Sequence, residues 1–449
     1  MNYLSAMPLP TLIPVFSKHR HPRLRYVLKE IGRDLGYNLR LMTNEEQWKA
    51  LAAKGKISIS ENFEGVRSLS LPGHSFLQGG DVSAEDLEVR LFGTVPVFFL
   101  VDGIPDYLAC CFYVLSRYEE YQPFVADAHG RFPAAKSHAA RHSYLHQPVV
   151  RQWAALLAQQ LRTVFPDLPA PRVHAWSFRP TYDIDLLWAY HHRGLRGAAA
   201  GLRDLLTGHA RRAWNRLTSS PESDPFHSLA FLRSLHLPPG PEVPALKPIW
   251  FWLLTDRADP KDVNPYPIPE AQKSTMQALA ATETMGIHPG YQAAVQSAAL
   301  KTEIERLEEI TGRSVRHSRQ HFLRLRLPGT YRELRNAGIT HDYTMGYADD
   351  IGWRAGTNLP FFWYDLEREE ATGLTVHPFA AMDATLNTYL KLKPAAAKAR
   401  VLDVAAKVRP FGGDFMLLWH NSSFAEEYGW AGWREVYQEI VGELRKKSL

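Results

Sequence analysis

Apolar residues follow two different rhythms along this chain. Up to about residue 170, short apolar runs and helical stripes are mixed. Residues 11–16 read as a strand and 23–35 as a helix, while VPVFFLV at 95–101 reads as a buried strand running into a helix at Pro105-Asp106-Tyr107. That helix carries Leu108, Cys111, Phe112, Leu115 and Tyr118 on one stripe, and 149–164 repeats the pattern with Val150, Trp153, Leu157 and Leu161. Pro166, Pro169 and Pro171 then interrupt the chain. They predict a mixed α/β domain of unknown role over 1–170 and a second domain over 171–449.

In the second domain, short apolar strands alternate with longer helical patterns, the arrangement of parallel βα units. Strands are predicted at 173–183, 249–254, 285–288, 314–318, 339–342, 373–377 and 414–420. Functional residues gather at the C-terminal strand ends of parallel barrels. Here those ends carry Asp183 and Asp185, His288, Arg319 with His321, Asp342, His377 and His420. In Thr181-Tyr182-Asp183-Ile184-Asp185 the two carboxylates are spaced i, i+2, so an extended chain puts them on one face. Like charges that close raise one another's pKa and call for a reason. A bound cation with a base beside it is one reason. The other is a helix-capping aspartate next to a solvated one.

An insertion over 186–248 separates the first two of these strands. Its part from 193 to 216 holds Arg193, Arg196, Arg203, Arg211, Arg212 and Arg216 against one acid, Asp204, with Leu202, Leu205, Leu206, Trp214 and Leu217 close by. Such a basic amphipathic segment suits an anionic membrane surface, here through 193–217, or an acidic glycan. The plainer reading, a solvated cover over the mouth of the barrel, comes first.

Composition narrows the classes. Hydrophobic residues are 45% and charged ones 22% of 449, an ordinary globular balance. The net charge of +5, from 52 basic and 47 acidic residues, is too mild to argue for nucleic acid. No apolar run is long enough to span a bilayer and no basic n-region precedes one, so a cytoplasmic chain is expected. The two cysteines, Cys110 and Cys111, are adjacent and are not expected to pair. His138, His142 and His146 share i, i+4 spacing but lack a fourth ligand or a neighbouring acid, and read as solvated histidines.

Five motifs carry a resemblance. They are TYDID at 181–185, GIHPGY at 286–291, SRQHFLR at 318–324, GITHDYTMGYADDIGWRAGT at 338–357 and LLWHN at 417–421. In that order, over about 173–449, the chain resembles the polysaccharide deacetylase family (carbohydrate esterase family 4), in a bacterial branch whose first motif ends in Asp-x-Asp. FYVLSRYEEY at 112–121 and GRF at 130–132 resemble the uncharacterised domain that precedes this barrel in some such proteins. The resemblance implies an α/β fold with a distorted (β/α)7 barrel, and metal-assisted removal of an acyl group from an amino sugar.

The resemblance also implies roles. Asp183 stands where the family has its base, Asp185 and His288 where it binds a divalent metal such as zinc, and His420 where an acid protonates the departing amine. Arg319 corresponds to the arginine that orients the base. Tyr291, Asp350 and Asn421 are carried over as contacts to a carbohydrate substrate. We add that a carboxylate such as Asp383 would keep His420 cationic. One departure stands out: the family's second histidine, four residues after the first, is Gln292 here. Amides are poor zinc ligands, and His321 is the candidate replacement. Two other readings stay open, an inactive barrel that binds glycans or a partner, and a hydrolase of a non-sugar amide.

Overall fold

The computed structural model describes residues 10–238, 240, 243–256, 259–294 and 296–446, without the side chains of 195 and 196. The predicted basic residue Arg196 therefore lies outside the described side chains. The chain divides into two compact units. One comprises Met1–Pro123, Ala135–Ala175 and Arg354–Gly373; the other comprises Phe124–Ala134, Trp176–Trp353 and Leu374–Leu449.

In the first unit, strands β1 (Thr11–Phe16), β2 (Tyr37–Met42), β3 (Ile57–Ile59) and β4 (Leu69–Leu71) form a parallel sheet in the order β2-β1-β3-β4. Helix α1 (Pro22–Leu35) connects the first two strands. Helix α2 (Tyr107–Ser116) is buried along its whole length and starts where the Asp106 carboxylate accepts the Ala109 N–H at 2.9 Å. Helix α3 (Val149–Val164) buries the predicted stripe of Val150, Trp153, Leu157 and Leu161.

Two predictions for this unit need correction. The run 95–101 is not one strand. Val95–Val97 and Leu100–Val101 sit in separate antiparallel pairs, in keeping with Pro96, which has no N–H to give a ladder. His138 is not solvated. Its Nε2 lies 3.0 Å from the Leu87 carbonyl and its Nδ1 2.6 Å from the Tyr144 hydroxyl, and burial pushes its pKa down to about 4. Much of the RYEEY motif is structural: Arg117 pairs with Glu119 at 2.9 Å and Glu120 at 2.8 Å, all three buried.

The second unit is built on parallel strands β5 (Trp176–Ile184), β6 (Ile249–Trp252), β7 (Thr284–Ile287), β8 (His317–Ser318), β9 (His341–Asp342), the end of β10 (Glu370–Val376) from Leu374 on, β11 (Ala381–Met382) and β12 (Gly413–His420). Within a nine-stranded sheet they run β10-β9-β8-β7-β6-β5-β12-β11, with strand Phe361–Asp365 paired beyond β10. The expected distorted (β/α)7 barrel is not shown, because no pairing joins β10 to β11, the two ends of this run, among the described residues.

Those ends are nevertheless successive in sequence. His377 still donates to Asp342 of β9, at 2.8 Å, and Ala380 already donates to Met416 of β12, at 2.9 Å. Pro378, between them, has no N–H to donate. The sheet curls enough for Ile249, Phe251, Tyr343, Phe379, Met416 and Leu418 to share one buried cluster. The insertion forms helices α4 (Gly194–Leu206) and α5 (Ala210–Thr218). No helix among the described residues is long and apolar enough to cross a membrane.

Candidate active site

Alternation along β5 turns Thr181 and Asp183 toward the same side, and Arg319, just past β8, meets both. Its Nη1 donates to Asp183 Oδ1 at 2.9 Å, its Nη2 to Thr181 Oγ1 at 2.7 Å and its Nε to the Tyr343 carbonyl at 3.0 Å. The guanidinium carbon sits 4.5 Å from the centre of the Phe251 ring. Arg319 is fully buried, so its orientation is set from every side. It also balances the charge of a carboxylate that is itself buried.

Asp185 follows Asp183 at the strand end and faces two histidines. Its Oδ1 lies 3.3 Å from His288 Nε2 and its Oδ2 3.7 Å from His321 Nε2. His288 Nε2 is also 3.6 Å from Asp183 Oδ2. In each histidine the other ring nitrogen is committed. His288 Nδ1 lies 2.6 Å from the Arg319 carbonyl, which only accepts, so Nδ1 carries a proton. His321 Nδ1 lies 3.0 Å from Asp262 Oδ1, an acceptor again. Neutral rings would therefore aim both Nε2 lone pairs at carboxylates, an arrangement that a cation must relieve.

The electrostatics carry the same signature. Burial opposes charge on His321, but Asp185 and Asp262 outweigh it and raise the ring to about 9. Burial would likewise raise Asp185, yet His321 and His288 hold it well below the usual carboxylate range. Protons on the histidines or one divalent cation among the three residues would answer the same demand.

The residues fit such an ion. Asp185 Oδ1 and His288 Nε2 are buried without a hydrogen-bond partner, and Asp185, His288 and His321 each offer a ligand atom within one small cluster. Zinc bonds of about 2.0–2.1 Å in a tetrahedron place ligand atoms roughly 3.3 Å apart, close to the separations seen here. Two nitrogens and one oxygen are a donor set that would suit zinc. The Gln292 amide donates to Asp259 Oδ2 at 2.7 Å.

His420, at the end of β12, is gripped twice by Asp383. Its Nδ1 is 2.8 Å from Asp383 Oδ1, and its backbone N–H donates to Oδ2 at 2.7 Å. Burial disfavours its charge, but Asp383, then Asp185 and Asp183, raise it to about 10. The ring is thus held as an imidazolium.

The other predicted positions have partners of their own. The Asn421 amide donates to the Leu186 and Phe226 carbonyls, at 3.0 and 2.8 Å, and so ties the roots of the insertion together. That use occupies the donors a sugar would need. Asp350 accepts the neighbouring Ile351 N–H at 2.8 Å. Tyr291 is buried, with the Lys261 ammonium 4.2 Å from its ring centre. Asp342 accepts from Thr344 and Tyr331, and His377 meets His341 at 3.0 Å, so neither joins the cluster.

Two contributors had no role assigned from the sequence. Asp262 lies in a loop without a motif, yet it orients His321 and accepts the Tyr291 N–H at 2.9 Å. Arg131, from the GRF motif, donates to the Phe322 carbonyl at 2.8 Å and to the Tyr389 hydroxyl at 2.9 Å. It thereby holds the turn after His321, where Phe322 and Leu323 both have positive φ (58° and 53°). Such residues each cost about 1–3 kcal/mol and persist only where their surroundings impose them.

Residues 13–166 match the family described as "Family of unknown function (DUF7033)". No curated protein matches the chain. Among solved structures, a provisionally named polysaccharide deacetylase from Mycobacterium smegmatis is 16% identical, with 62% of this chain and 86% of that one covered and a TM-score of 0.36. Agd3, described as a novel carbohydrate deacetylase, is 9% identical over 97% of this chain and 84% of its own, with a TM-score of 0.36. A mutant of a CE4-family pseudoenzyme with restored enzymatic activity is 10% identical over 61% and 64%, with a TM-score of 0.27.

Proposed function

We propose that this chain is a metal-dependent hydrolase that removes an N-acyl group, acetyl above all, from a saccharide or glycan precursor. The observation that carries the reading is the convergence of Asp185, His288 and His321. Each histidine has its far nitrogen committed to an acceptor and its near nitrogen turned to the same carboxylate. A divalent ion such as zinc, held by these three, supplies a Lewis acid that makes water acidic and polarises an amide carbonyl.

The chain's own groups do the rest. Asp183, anchored by Arg319, accepts a proton from the attacking water at its Oδ2 side, which faces the cluster. His420, kept cationic by Asp383, delivers a proton to the leaving nitrogen. The substrate class rests on the five motifs in family order. His321 supplies the nitrogen that Gln292 does not, which favours a catalytic site over an inactive binding module.

Purified protein stripped with chelator and dialysed against zinc should hold one divalent ion per chain, and Asp185→Ala and His288→Ala should not. Acetate release from N-acetylated sugar oligomers should fall about 100-fold or more in Asp183→Asn. A wild-type chain that binds no ion would sink the proposal. Acetate release from simple acetamides but never from sugars would reassign the substrate to a non-sugar amide.

A further inference from the structure

Helices that cover a sheet turn their apolar residues inward. The hairpin of α4 and α5 does the reverse. Leu202, Leu205, Leu206, Trp214 and Leu217 are 58–82% exposed, while Asp204 and Ala213 are buried. Spacings of three and four keep Leu202 beside Leu205 and Leu206, and Trp214 beside Leu217. Arg203 and Arg211 are exposed along the same helices. The single acid between 193 and 218, Asp204, is already paired with Arg216 at 2.9 Å. The outward side is therefore apolar and cationic, with no free anion of its own.

We propose that this hairpin docks the chain on an anionic lipid surface. The apolar side chains enter the headgroup boundary while the arginines meet lipid phosphates, the division of labour of an interfacial amphipathic helix. Trp214 suits that boundary, being apolar in its body and polar at its N–H.

The hairpin is fastened to the segment that follows β12. Glu427 accepts from the Tyr190 hydroxyl at 2.6 Å and the Asn215 amide at 3.0 Å, and the Arg212 guanidinium lies 4.4 Å from the centre of the Tyr428 ring. Both partners follow β12 closely, and β12 ends at His420. The hairpin's anchors are thus seven and eight residues past His420 along the chain. If the proposed hydrolase activity holds, on which this last step rests, the substrate class is a saccharide carried on a membrane lipid.

The test uses the full chain, cosedimented with phosphatidylcholine vesicles made with or without phosphatidylglycerol. Binding should need phosphatidylglycerol and weaken in high salt. Leu206→Glu/Leu217→Glu should lose at least about tenfold in vesicle affinity while keeping its zinc and its acetate release from soluble sugars. Arg203→Gln/Arg211→Gln, which leaves the apolar residues in place, should lose about fivefold per arginine.

A wild-type chain that ignores anionic vesicles, or variants that bind as well as wild type, overturns the proposal. So does a dimer in light scattering that the double glutamate variant dissociates, because the face then belongs to a second copy. Vesicle binding without acetate release overturns the hydrolase reading alone, and acetate release without vesicle binding overturns the docking alone.

Discussion

A histidine's chemistry here depends on what holds its far nitrogen. Asp383 holds His420 and Asp262 holds His321, while a backbone carbonyl holds His288. Of these, His420 has a consequence in solution. Its raised pKa keeps the proton bound through neutrality, and the proton leaves only as pH climbs toward about 10. Removing the carboxylate removes the largest force that raises it. In Asp383→Asn the alkaline fall of kcat should therefore move to lower pH, with zinc content unchanged. An unaltered alkaline limb would deny His420 the role of acid. The histidines' own positions were legible in the motifs. Their orienting carboxylates were less so, since Asp262 lies 59 residues from His321 and belongs to no motif.

At the scale of elements, every strand predicted in the second unit forms, within a few residues of its expected bounds. Short apolar runs between longer helical patterns report strands well because both signals are local. What they miss is how closely neighbouring strands approach. A Cβ on Gly286 of β7 would stand 2.5 Å from Phe251 Cε1 and 2.9 Å from the His317 carbonyl. Gly286→Ala should cost about 1–3 kcal/mol in urea unfolding, through overpacking. It should also lower turnover, because Phe251 is the ring on which Arg319 lies. Undisturbed stability would show that β6 and β7 can part without cost. The helices of the insertion teach the converse. Periodicity announces that α4 and α5 have an apolar face, but only the fold shows that this face looks outward.

For the whole molecule, the candidate metal cluster would couple binding to stability. Asp185 and His288 leave polar atoms buried without partners, and a ligand that binds only the folded state stabilises it by mass action. Zinc at a hundredfold excess over its dissociation constant should add about 2.7 kcal/mol, read as a rise in Tm that chelator reverses. Asp185→Ala should show no such rise. A wild-type Tm indifferent to zinc would mean that the three residues do not act as ligands.

The amino-acid sequence by itself determined the alternation of strands and helices after residue 173 and the placing of Asp183, Asp185, His288, Arg319 and His420 at strand ends. These follow from periodicity and spacing, which are properties of neighbouring residues. Only the tertiary structure decided that His321 rather than Gln292 faces Asp185, that Asp262 and Arg131 hold the His321 turn, and that the ladder stays open across Pro378. It also decided which way the insertion turns its leucines. Each of these depends on which side chains meet after the chain has returned from tens of residues away. Strand register and loop path set that meeting, and neither is written in the periodicity of a single segment.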